Sequence, residues 1–544
     1  MPPTAFSEAE LRGNSTNTHA DGPTTIKSKG DMSQKKCISS WEEYPLERGE
    51  YSENPCPDCP PFTAFLGQIN YYIMITISLF AEFLRDLGFF KIACAVERPE
   101  QRSFPKLGTW FEKAFVNNIY RMATDVVNRP IAGVPSAIMR LKDRVSHDYN
   151  WTYQFTGTET DVINMGSYNY LGFSHNDGPC AEYAASLIDK HGVATCSTPK
   201  HRISNNLQNR LEKEIASFLG VEEAICFPMG FGTNSMNISA LVNKGCLILS
   251  DELNHASLVL GMRLSKADVV IFKHNDAVDL EKKLRNAFIR GFHKNQKHYS
   301  KILIVVEGIY SMEGTITNLP AMIEVKKKYN AYLFLDEAHS IGAIGPNGRG
   351  VVDYWGCNPR DIDILMGTLT KSFAAAGGYI GGSRALIEYL RRNSAGTCYG
   401  VVMAPPVIGQ VSASLRMLQG HDGTKIGKEK ITHLLRNTRY FRKRLLQLGF
   451  LIYGHEDSPV VPLMVFYISR VVCFGREALK RGIGVVSVGY PAAPLTKART
   501  RFCISADHTK EQLDQALEII DEVGDVTGTK YGKNPYKPGT IIEY

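Results

Sequence analysis

Short apolar runs alternate with longer mixed segments between about residues 163 and 382 of this chain. The runs are rich in Val, Ile, Leu and Phe, which is the composition of strands that are buried on both faces of a sheet. The segments between them have the length of helices, and this order is typical of a mainly parallel sheet covered by helices. The pattern predicts an α/β domain over residues 161–424, with strands near 224–227, 246–249, 269–272, 302–306, 332–335 and 362–366.

The pattern changes after this domain. A basic amphipathic helix over residues 431–448 is followed by short strands and by a second helix over residues 510–523. This mixture predicts a smaller α+β domain over residues 425–528. Residues 529–544 contain no periodic apolar pattern and are expected to form a loose tail.

Two further segments precede the α/β domain. Residues 92–160 predict a helical linker segment, because apolar residues recur at spacings of three and four between Leu107 and Phe115. Residues 1–60 are polar and rich in Ser, Thr, Asn, Glu, Gly and Pro. Such a composition buries too little apolar surface to offset the entropy of ordering, so we expect a polar, disordered tail.

Residues 61–91 predict a membrane-associated helix. The stretch 62–81 carries no charge and, as a helix, is long enough to cross a hydrocarbon core of about 30 Å. Gln68 and Asn70 weaken a span, and a buried helix or one lying in the membrane surface fits the same pattern, so these alternatives stay open. The positive-inside bias predicts that the C-terminal bulk faces the cytosol, since acidic residues precede the stretch and basic residues follow it, at Lys91, Arg98, Arg102, Lys106 and Lys113.

Charge and cysteine content exclude several classes of protein. The 62 Lys and Arg residues exceed the 55 Asp and Glu residues by only seven and are dispersed, which does not indicate nucleic-acid binding. The 12 cysteines form no regular framework and indicate reduced thiols. The single CxxC, at Cys56 and Cys59, lacks a second pair, so no metal site is predicted.

Two strand ends carry candidate chemistry. An apolar strand ends in Asp336 with His339 three residues later, and ligands of α/β sheets bind at such ends. A second strand is followed by Lys371, which lies among Thr and Ser residues and before a small-residue stretch. A partly desolvated lysine can form a Schiff base, and a buried acid can hold a pyridinium nitrogen. Lys371 and Asp336 are therefore the two kinds of residue that pyridoxal phosphate requires from a protein.

At this point the sequence resembles a known family. Five segments in chain order are similar to the motifs of the α-oxoamine synthases, and the similarity extends over roughly residues 160–525. These enzymes are pyridoxal-phosphate proteins of fold type I that condense an amino acid with an acyl-CoA and release carbon dioxide. The segments are GFGTN at 230–234, SDELNHAS at 250–257, EGIYSMEG at 307–314, DEAHS at 336–340 and GTLTKS at 367–372.

The resemblance implies a role for individual residues. Lys371 would hold the cofactor as a Schiff base and move the substrate α-proton, Asp336 would pair with the pyridinium nitrogen, and His255 would stack on the ring. Arg501 would clamp the substrate carboxylate, although a structural salt bridge is the competing interpretation. Further contacts to the cofactor ring or phosphate are implied for Gly230, Phe231, Ser311, His339, Thr368 and Thr370.

The resemblance also implies a substrate class and partners. Within the family, the chain is most similar to the lysine-bearing subunits that condense L-serine with a long acyl-CoA at the start of sphingolipid synthesis. It implies a heterodimer with a lysine-lacking subunit, joined by small membrane activating subunits and ORM-type regulators. The implied location is the endoplasmic reticulum membrane, with the catalytic domain facing the cytosol.

The sequence departs from the family pattern near the predicted site. Leu369 stands where Phe is usual, Ala374 where Gly is usual, Ala493 where Thr is usual, and Pro199 where Arg is usual. These changes leave the cofactor residues in place, and we expect them to bear on acyl-chain preference, on rate and on the contacts at the dimer interface. Two alternatives therefore stay open: another α-oxoamine synthase activity, or a scaffolding paralogue that has lost turnover.

Overall fold

The computed structural model describes residue 41 and residues 44–544, except for short internal gaps. The gaps are residues 53–54, 90–98, 102, 106–108, 198–205, 291–297, 491 and 495. Residues 1–40 and 42–43 of the predicted tail over residues 1–60, and the departure at Pro199, therefore lie outside the described residues.

The first helix, α1 (Pro61–Asp86), coincides with the predicted membrane-associated segment and is long and apolar enough to cross a membrane. Proline at its first position suits a helix start, because the first turn has no use for the missing N–H. Two shorter helices follow, α2 (Trp110–Phe115) and α3 (Arg121–Val127), joined by a π-helical turn. Thr109 and Glu112 form a capping box that fixes the start of α2.

The described part of the predicted polar tail packs on the folded body. The Trp41 indole donates to the Tyr354 carbonyl at 2.9 Å, and the Pro55 carbonyl accepts from the Gly454 amide at 2.8 Å. Aromatic residues explain the difference from the expectation for residues 1–60, since Trp41, Tyr44 and Tyr51 pack against the main core.

An antiparallel sheet follows, formed by β1 (Ile131–Ala132), β2 (Ile138–Val145) and β3 (Gln154–Asn164). Its fourth strand, Ile483–Gly484, comes from the C-terminal part of the chain and pairs parallel to β3. The linker segment and the C-terminal domain predicted from the sequence therefore share one sheet.

The central sheet has seven strands in the order β4-β10-β9-β8-β7-β5-β6, and only β10 runs antiparallel to its neighbours. Its strands are β4 (Glu223–Phe227), β5 (Leu247–Asp251), β6 (Asp268–Phe272), β7 (Ile302–Glu307), β8 (Tyr332–Asp336), β9 (Ile364–Thr368) and β10 (Gly378–Gly382). The six predicted strands are all present. The sequence analysis did not identify β10, because three of its five residues are glycines; a Cβ at Gly378 would come within 2.7 Å of Thr233 Oγ1.

Helices cover both faces of this sheet, as predicted. Alternate residues of β7 and β8 enter two separate cores: Leu333 and Leu335 belong to one and Phe334 to the other. The helices are α4 (Gly178–His191), α5 (Asn206–Leu219), α6 (Gly230–Leu241), α7 (Ala256–Ser265), α8 (Ala277–Arg290), α9 (Leu319–Lys328), α10 (Gly350–Trp355), α11 (Arg384–Asn393), α12 (Ala395–Cys398) and α13 (Pro405–Gln419).

The C-terminal part contains a second small sheet, in which β14 (Ala498–Cys503) lies between β11 (Val460–Phe466) and β13 (Val486–Val488). Helices α14 (Ile426–Gln447), α15 (Ile468–Lys480) and α16 (Lys510–Thr527) accompany it, and Ile483–Gly484 is β12. The α+β mixture expected after residue 424 is thus observed.

The last residues differ from the loose tail that we expected. The Tyr544 hydroxyl donates to Asn437 Oδ1 at 2.6 Å, and the Gln447 side chain donates to the Thr540 carbonyl at 2.7 Å. The Tyr544 ring also meets Tyr440 edge to face. These contacts order the terminus along α14, because the tail carries an aromatic anchor at its last position.

The connection from β9 to β10 contains one strained residue. Ala374 has a φ of +51°, in the left-handed region where a Cβ is unfavourable. Glycine adopts this conformation freely, which gives a physical reason for the glycine that the family pattern has at this position.

We expect Ala374→Gly to raise the free energy of unfolding by about 1 kcal/mol, because it removes this strain. Ala375→Gly is the matched control: Ala375 is not among the residues with positive φ, so its replacement should leave stability unchanged or lower it. Chemical denaturation of the purified chain measures both, and equal effects of the two changes would contradict the assignment of strain to Ala374.

Candidate active site

The candidate site lies at the carboxyl ends of three neighbouring parallel strands. Glu307 ends β7, Asp336 ends β8 and Thr368 ends β9, and the register places Glu307 directly beside Asp336. Polar side chains at these ends meet at one edge of the sheet, where ligands of α/β folds bind.

Asp336 is buried and held in one orientation. Its Oδ2 accepts from Asn234 Nδ2 at 2.7 Å, and its Oδ1 accepts from the Ala338 amide at 2.9 Å. Asn234 also donates to the Ser257 hydroxyl at 2.9 Å. These neutral donors fix the carboxylate without neutralising its charge, so it can stabilise a protonated ring nitrogen.

His255 caps the N-terminus of α7 and is exposed to the site. Its Nδ1 is 2.8 Å from the Ser257 hydroxyl, and its backbone amide donates to Glu307. Desolvation lowers the pKa of His255, although the Asp336 carboxylate opposes this shift. A neutral imidazole held in this way can stack on an aromatic ligand.

Glu307 is a second buried carboxyl group, next to Asp336. Burial and the adjacent Asp336 carboxylate raise the pKa of Glu307 well above its ordinary range. Two neighbouring carboxylates in a buried site cannot both ionise easily, which favours the neutral form of Glu307. Glu307 accepts from the His255 backbone amide and so positions this histidine.

Lys371 follows β9 on the same edge. Burial lowers the pKa of Lys371 to about 8, Asp336 and Glu307 oppose the shift, and Arg501 adds to it. Its Nζ is 5.7 Å from the centroid of the Tyr168 ring. A pKa of about 8 leaves a substantial fraction of the amine neutral at weakly basic pH, and the neutral amine is a nucleophile and a base.

Arg501 reaches the site from β14. It is buried, and its Nε has no hydrogen-bond partner within the described part of the chain. Its guanidinium lies 4.8 Å from the centroid of the Tyr168 ring, and its Nη1 donates to the Ser311 carbonyl at 3.4 Å. Ser311, which is predicted to contact the ring hydroxyl of the cofactor, thus lies beside Arg501.

The competing interpretation of Arg501, a structural salt bridge, applies instead to its neighbour. Arg499 is fully buried and pairs with Glu313 at 3.1 Å. No carboxylate pairs with Arg501 among the residues described, which leaves its guanidinium for an anionic ligand.

His339 is buried between tyrosines. Its Nδ1 is 2.8 Å from the Tyr170 hydroxyl, and its ring meets Tyr168 edge to face. Burial and the nearby Lys371 cation lower the pKa of His339 well below its ordinary value. Because Nδ1 is committed to Tyr170, Nε2 is the nitrogen that can bind a ligand.

The start of α6 and the end of β9 together offer an anion cradle. Helix α6 begins at Gly230 without a side-chain cap, so its first amides remain available, including that of Phe231. The Thr368 and Thr370 hydroxyls are 2.8 Å apart. A Cβ at Gly230 would lie 2.7 Å from Thr368 Oγ1, so only glycine lets the helix start approach these hydroxyls.

These groups fit pyridoxal phosphate. The cradle suits a phosphate, the fixed carboxylate of Asp336 suits a protonated ring nitrogen, and the desolvated Lys371 suits an aldehyde. His255 and His339 suit the ring face and the ring hydroxyl. The structure thus brings together the residues that the resemblance implied.

Four residues were missed by the sequence analysis. Asn234 and Glu307 lie within the quoted segments but were given no role, and Tyr168 and Tyr170 lie outside them. The signal for the tyrosines was the aromatic pair that follows the apolar end of β3.

Comparisons with known proteins agree with this geometry. The family model for aminotransferase class I and II matches residues 160–520. Serine palmitoyltransferase 3 of Caenorhabditis elegans is 58% identical over 480 residues, covering 88% of this chain and 94% of the relative. Serine palmitoyltransferase 3 of Homo sapiens is 49% identical, covering 88% of this chain and 87% of the relative.

Solved structures agree as well. A high-resolution structure of SPT with a PLP internal aldimine superposes with a TM-score of 0.63 at 29% identity, covering 69% of this chain and 90% of that chain. A lysine-to-alanine serine palmitoyltransferase from S. paucimobilis with a bound PLP–myriocin aldimine gives a TM-score of 0.66 at 27% identity, covering 77% of this chain and all of that chain (100%). The predicted fold type and cofactor are confirmed.

We expect Lys371 in the cofactor-free protein to react with an amine-directed sulfonate reagent at half its maximal rate near pH 8, because burial lowers its pKa to about 8. Ordinary lysines reach half their maximal rate only above about pH 10. Peptide mass spectrometry across a pH series measures the modification of Lys371. Lys371→Ala should remove the fast phase; a midpoint for Lys371 above pH 10 would contradict the buried environment.

Proposed function

The chain belongs to the serine palmitoyltransferase family, and we propose that it is a catalytic subunit of that enzyme. The reaction is the decarboxylative condensation of L-serine with palmitoyl-CoA, or a similar long acyl-CoA, to 3-ketosphinganine, the first step of sphingolipid biosynthesis. The observation that carries this proposal is the desolvated Lys371 beside the fixed carboxylate of Asp336. A subunit without such a lysine could not hold the cofactor covalently.

Pyridoxal 5′-phosphate, when bound, supplies an electron sink for negative charge at the substrate α-carbon. Lys371 Nζ would hold its aldehyde carbon, and the amides of Gly230 and Phe231 with the hydroxyls of Thr368 and Thr370 would hold its phosphate. Asp336 would keep its ring nitrogen protonated, since Asn234 fixes that carboxylate. His255 would cover its ring face, and His339 with Ser311 would bind its ring hydroxyl.

The remaining residues act on L-serine. The Arg501 guanidinium binds the serine carboxylate, because it is buried and pairs with no carboxylate among the described residues. The Tyr168 ring packs against both Arg501 and Lys371 and limits the space around the amino acid. Lys371 Nζ, neutral in part near pH 8, takes the α-proton of serine. Overall, the α-carbon gains the acyl group while coenzyme A and carbon dioxide leave.

A heteromeric complex in the endoplasmic reticulum membrane, with the catalytic domain facing the cytosol, is part of the proposal. Exposed apolar side chains beside the site support a second subunit: Met229 and Phe231 at the start of α6, and Tyr399 after α12, which packs against α6. The expected partners are the lysine-lacking serine palmitoyltransferase subunit 1, small membrane activating subunits and ORM-type regulators.

The purified complex with subunit 1 should absorb visible light from cofactor bound at Lys371, and its spectrum should change when L-serine is added. Addition of palmitoyl-CoA should then give 3-ketosphinganine by mass spectrometry. Lys371→Ala should abolish the product.

A spectrum that changes with L-serine but is followed by no product would show that the enzyme uses an acyl donor other than palmitoyl-CoA. Absence of any cofactor spectrum in the intact complex would overturn the catalytic proposal in favour of a scaffolding paralogue.

We expect Arg501→Gln to raise the KM for L-serine by about tenfold to a hundredfold, because a charge-assisted carboxylate contact is lost. The KM for palmitoyl-CoA should change by less than about twofold, and Arg501→Lys should restore part of the serine affinity. Steady-state kinetics with each substrate varied in turn measures both. Equal changes in the two KM values would show that Arg501 supports the fold and not the serine site.

A further inference from the structure

The loop between β7 and α9, residues 308–318, touches the two arginines of β14. Arg501 Nη1 donates to the Ser311 carbonyl at 3.4 Å and lies 3.8 Å from Met312 Sδ. Arg499 Nη1 donates to the Met312 carbonyl at 2.6 Å. The direction in which the Arg501 guanidinium points therefore depends on where this loop lies.

The tip of the loop, residues 311–314, is closed at its base by backbone hydrogen bonds. The Gly314 amide donates to the Tyr310 carbonyl at 2.8 Å, and the Tyr310 amide donates to the Thr315 carbonyl at 3.1 Å. Because the base is closed in this way, a contact that fixes Thr315 also fixes the position of the tip.

His274 makes such a contact from the chain that follows β6. Its Nε2 lies 2.8 Å from Thr315 Oγ1, and its Nδ1 lies 3.0 Å from Asp251 Oδ1. Asp251 ends β5, and its side chain is fully buried. A buried carboxylate is stable only when it is paired or hydrogen-bonded, so Asp251 holds the imidazole in one orientation.

The charges around His274 strengthen both hydrogen bonds. Burial disfavours the charged imidazole, but the hydrogen bond and charge of Asp251, together with the charges of Glu313 and Glu252, outweigh burial and raise the pKa of His274. A raised pKa favours the protonated imidazole, which donates from Nδ1 to the carboxylate and from Nε2 to the Thr315 hydroxyl.

Two further contacts secure the same loop. The Tyr310 ring meets His274 edge to face, with the ring centroids 4.4 Å apart. Asn275 Nδ2 donates to the Ile316 carbonyl at 2.9 Å, and its Oδ1 accepts from the Asn318 amide at 2.8 Å. Asn275 therefore holds the end of the loop, and His274 holds the base of its tip.

We propose that His274, held by Asp251, is a positioning residue for the amino-acid substrate. It fixes the 311–314 tip through Thr315, and the tip in turn holds the Arg501 guanidinium in the site. His274 acts on the substrate only through these residues. The inference rests on the proposed binding of the serine carboxylate by Arg501.

Four variants of the full-length chain separate the Thr315 contact from the volume of the imidazole. His274→Leu fills the space and removes both hydrogen bonds, His274→Gln keeps a donor long enough to reach Thr315, and His274→Asn keeps a donor for Asp251 alone. Thr315→Val removes the hydroxyl and leaves the pair of His274 and Asp251 intact, so it tests the same contact if His274→Leu does not fold. His175→Leu is the matched control, because His175 also pairs with a carboxylate, at 2.8 Å from Asp507, but is half exposed before α4.

The first measurement does not depend on the proposed reaction. Phenylglyoxal modifies arginine side chains, and peptide mass spectrometry gives the rate at Arg501, which should be low in the unsubstituted chain because this residue is only 5% exposed. His274→Leu and Thr315→Val should raise that rate by about threefold or more, because the loop opens more often. The control should leave it unchanged. Equal rates at Arg501 in all variants would contradict the inference.

An internal reference excludes a general loosening of the fold. Arg391 on α11 pairs with Glu212 on α5 at 2.9 Å, and neither residue belongs to the loop. The rate of modification at Arg391 should stay the same in every variant. A parallel rise at Arg391 and Arg501 would overturn the positioning role of His274.

The second measurement is the affinity for L-serine of the complex with subunit 1, read from the visible spectrum during a serine titration. Thr315→Val and His274→Leu should weaken it about twofold to tenfold, because one lost hydrogen bond misplaces Arg501. His274→Gln should retain more affinity than His274→Asn, and the KM for palmitoyl-CoA should change by less than about twofold. Thr315→Val should cause no further loss when it is combined with Arg501→Gln, since both changes act on one contact.

The outcomes separate this inference from the proposed function. Full additivity of the Thr315→Val and Arg501→Gln losses would overturn the inference. Faster modification of Arg501 with an unchanged serine affinity would also overturn it, since the contact would then hold an arginine that serine does not need. If the unsubstituted complex does not respond to serine, the proposed function fails, and the rates at Arg501 still decide whether His274 positions this arginine.

Discussion

The buried carboxylate of Asp336 is the constraint on which the rest of the site depends. A charge in the interior is stable only when fixed polar groups surround it. Asn234 supplies one donor to Asp336 and another to Ser257, which in turn holds His255. Burial and the Asp336 carboxylate raise the pKa of the neighbouring Glu307, and the same carboxylate opposes the lowering of the Lys371 pKa by burial. One acid at a strand end thereby orients or tunes the groups around it.

The central sheet holds this buried carboxylate in place because the strand ends are supported on both faces of the sheet. Alternate side chains of β7 and β8 enter separate apolar cores, so neither face of the sheet is free to shift. The parallel register then brings Glu307 beside Asp336 and Asp336 beside Met366, two residues before Thr368. The cofactor side of the site is therefore built from one rigid layer.

The substrate side is built from distant segments. Arg501 comes from β14 and Tyr168 follows β3, and the pairing of β12 with β3 joins the N-terminal and C-terminal parts that carry them. Phe115, on the helix that packs against α1, touches Tyr490, which precedes the loop containing the buried Ala493. The helical segment that packs against α1 is thus in contact with the chain between β13 and β14.

The sequence alone determined the periodic features of this protein: six of the seven strands of the central sheet, the apolar helix α1, and the motif residues that are close in sequence to strand ends, such as Asp336 and Lys371. These features depend on local composition and spacing, which are visible along the chain. Tertiary structure decided the rest. The glycine-rich strand β10, the packing of residues 41–60 and of the C-terminus, and the difference between Arg499 and Arg501 all depend on which side chains meet across long sequence separations. Arg499 and Arg501 are two residues apart, so they point to the same face of a strand and are chemically equivalent in the sequence. Only the position of Glu313 makes Arg499 part of an ion pair and leaves Arg501 for a ligand.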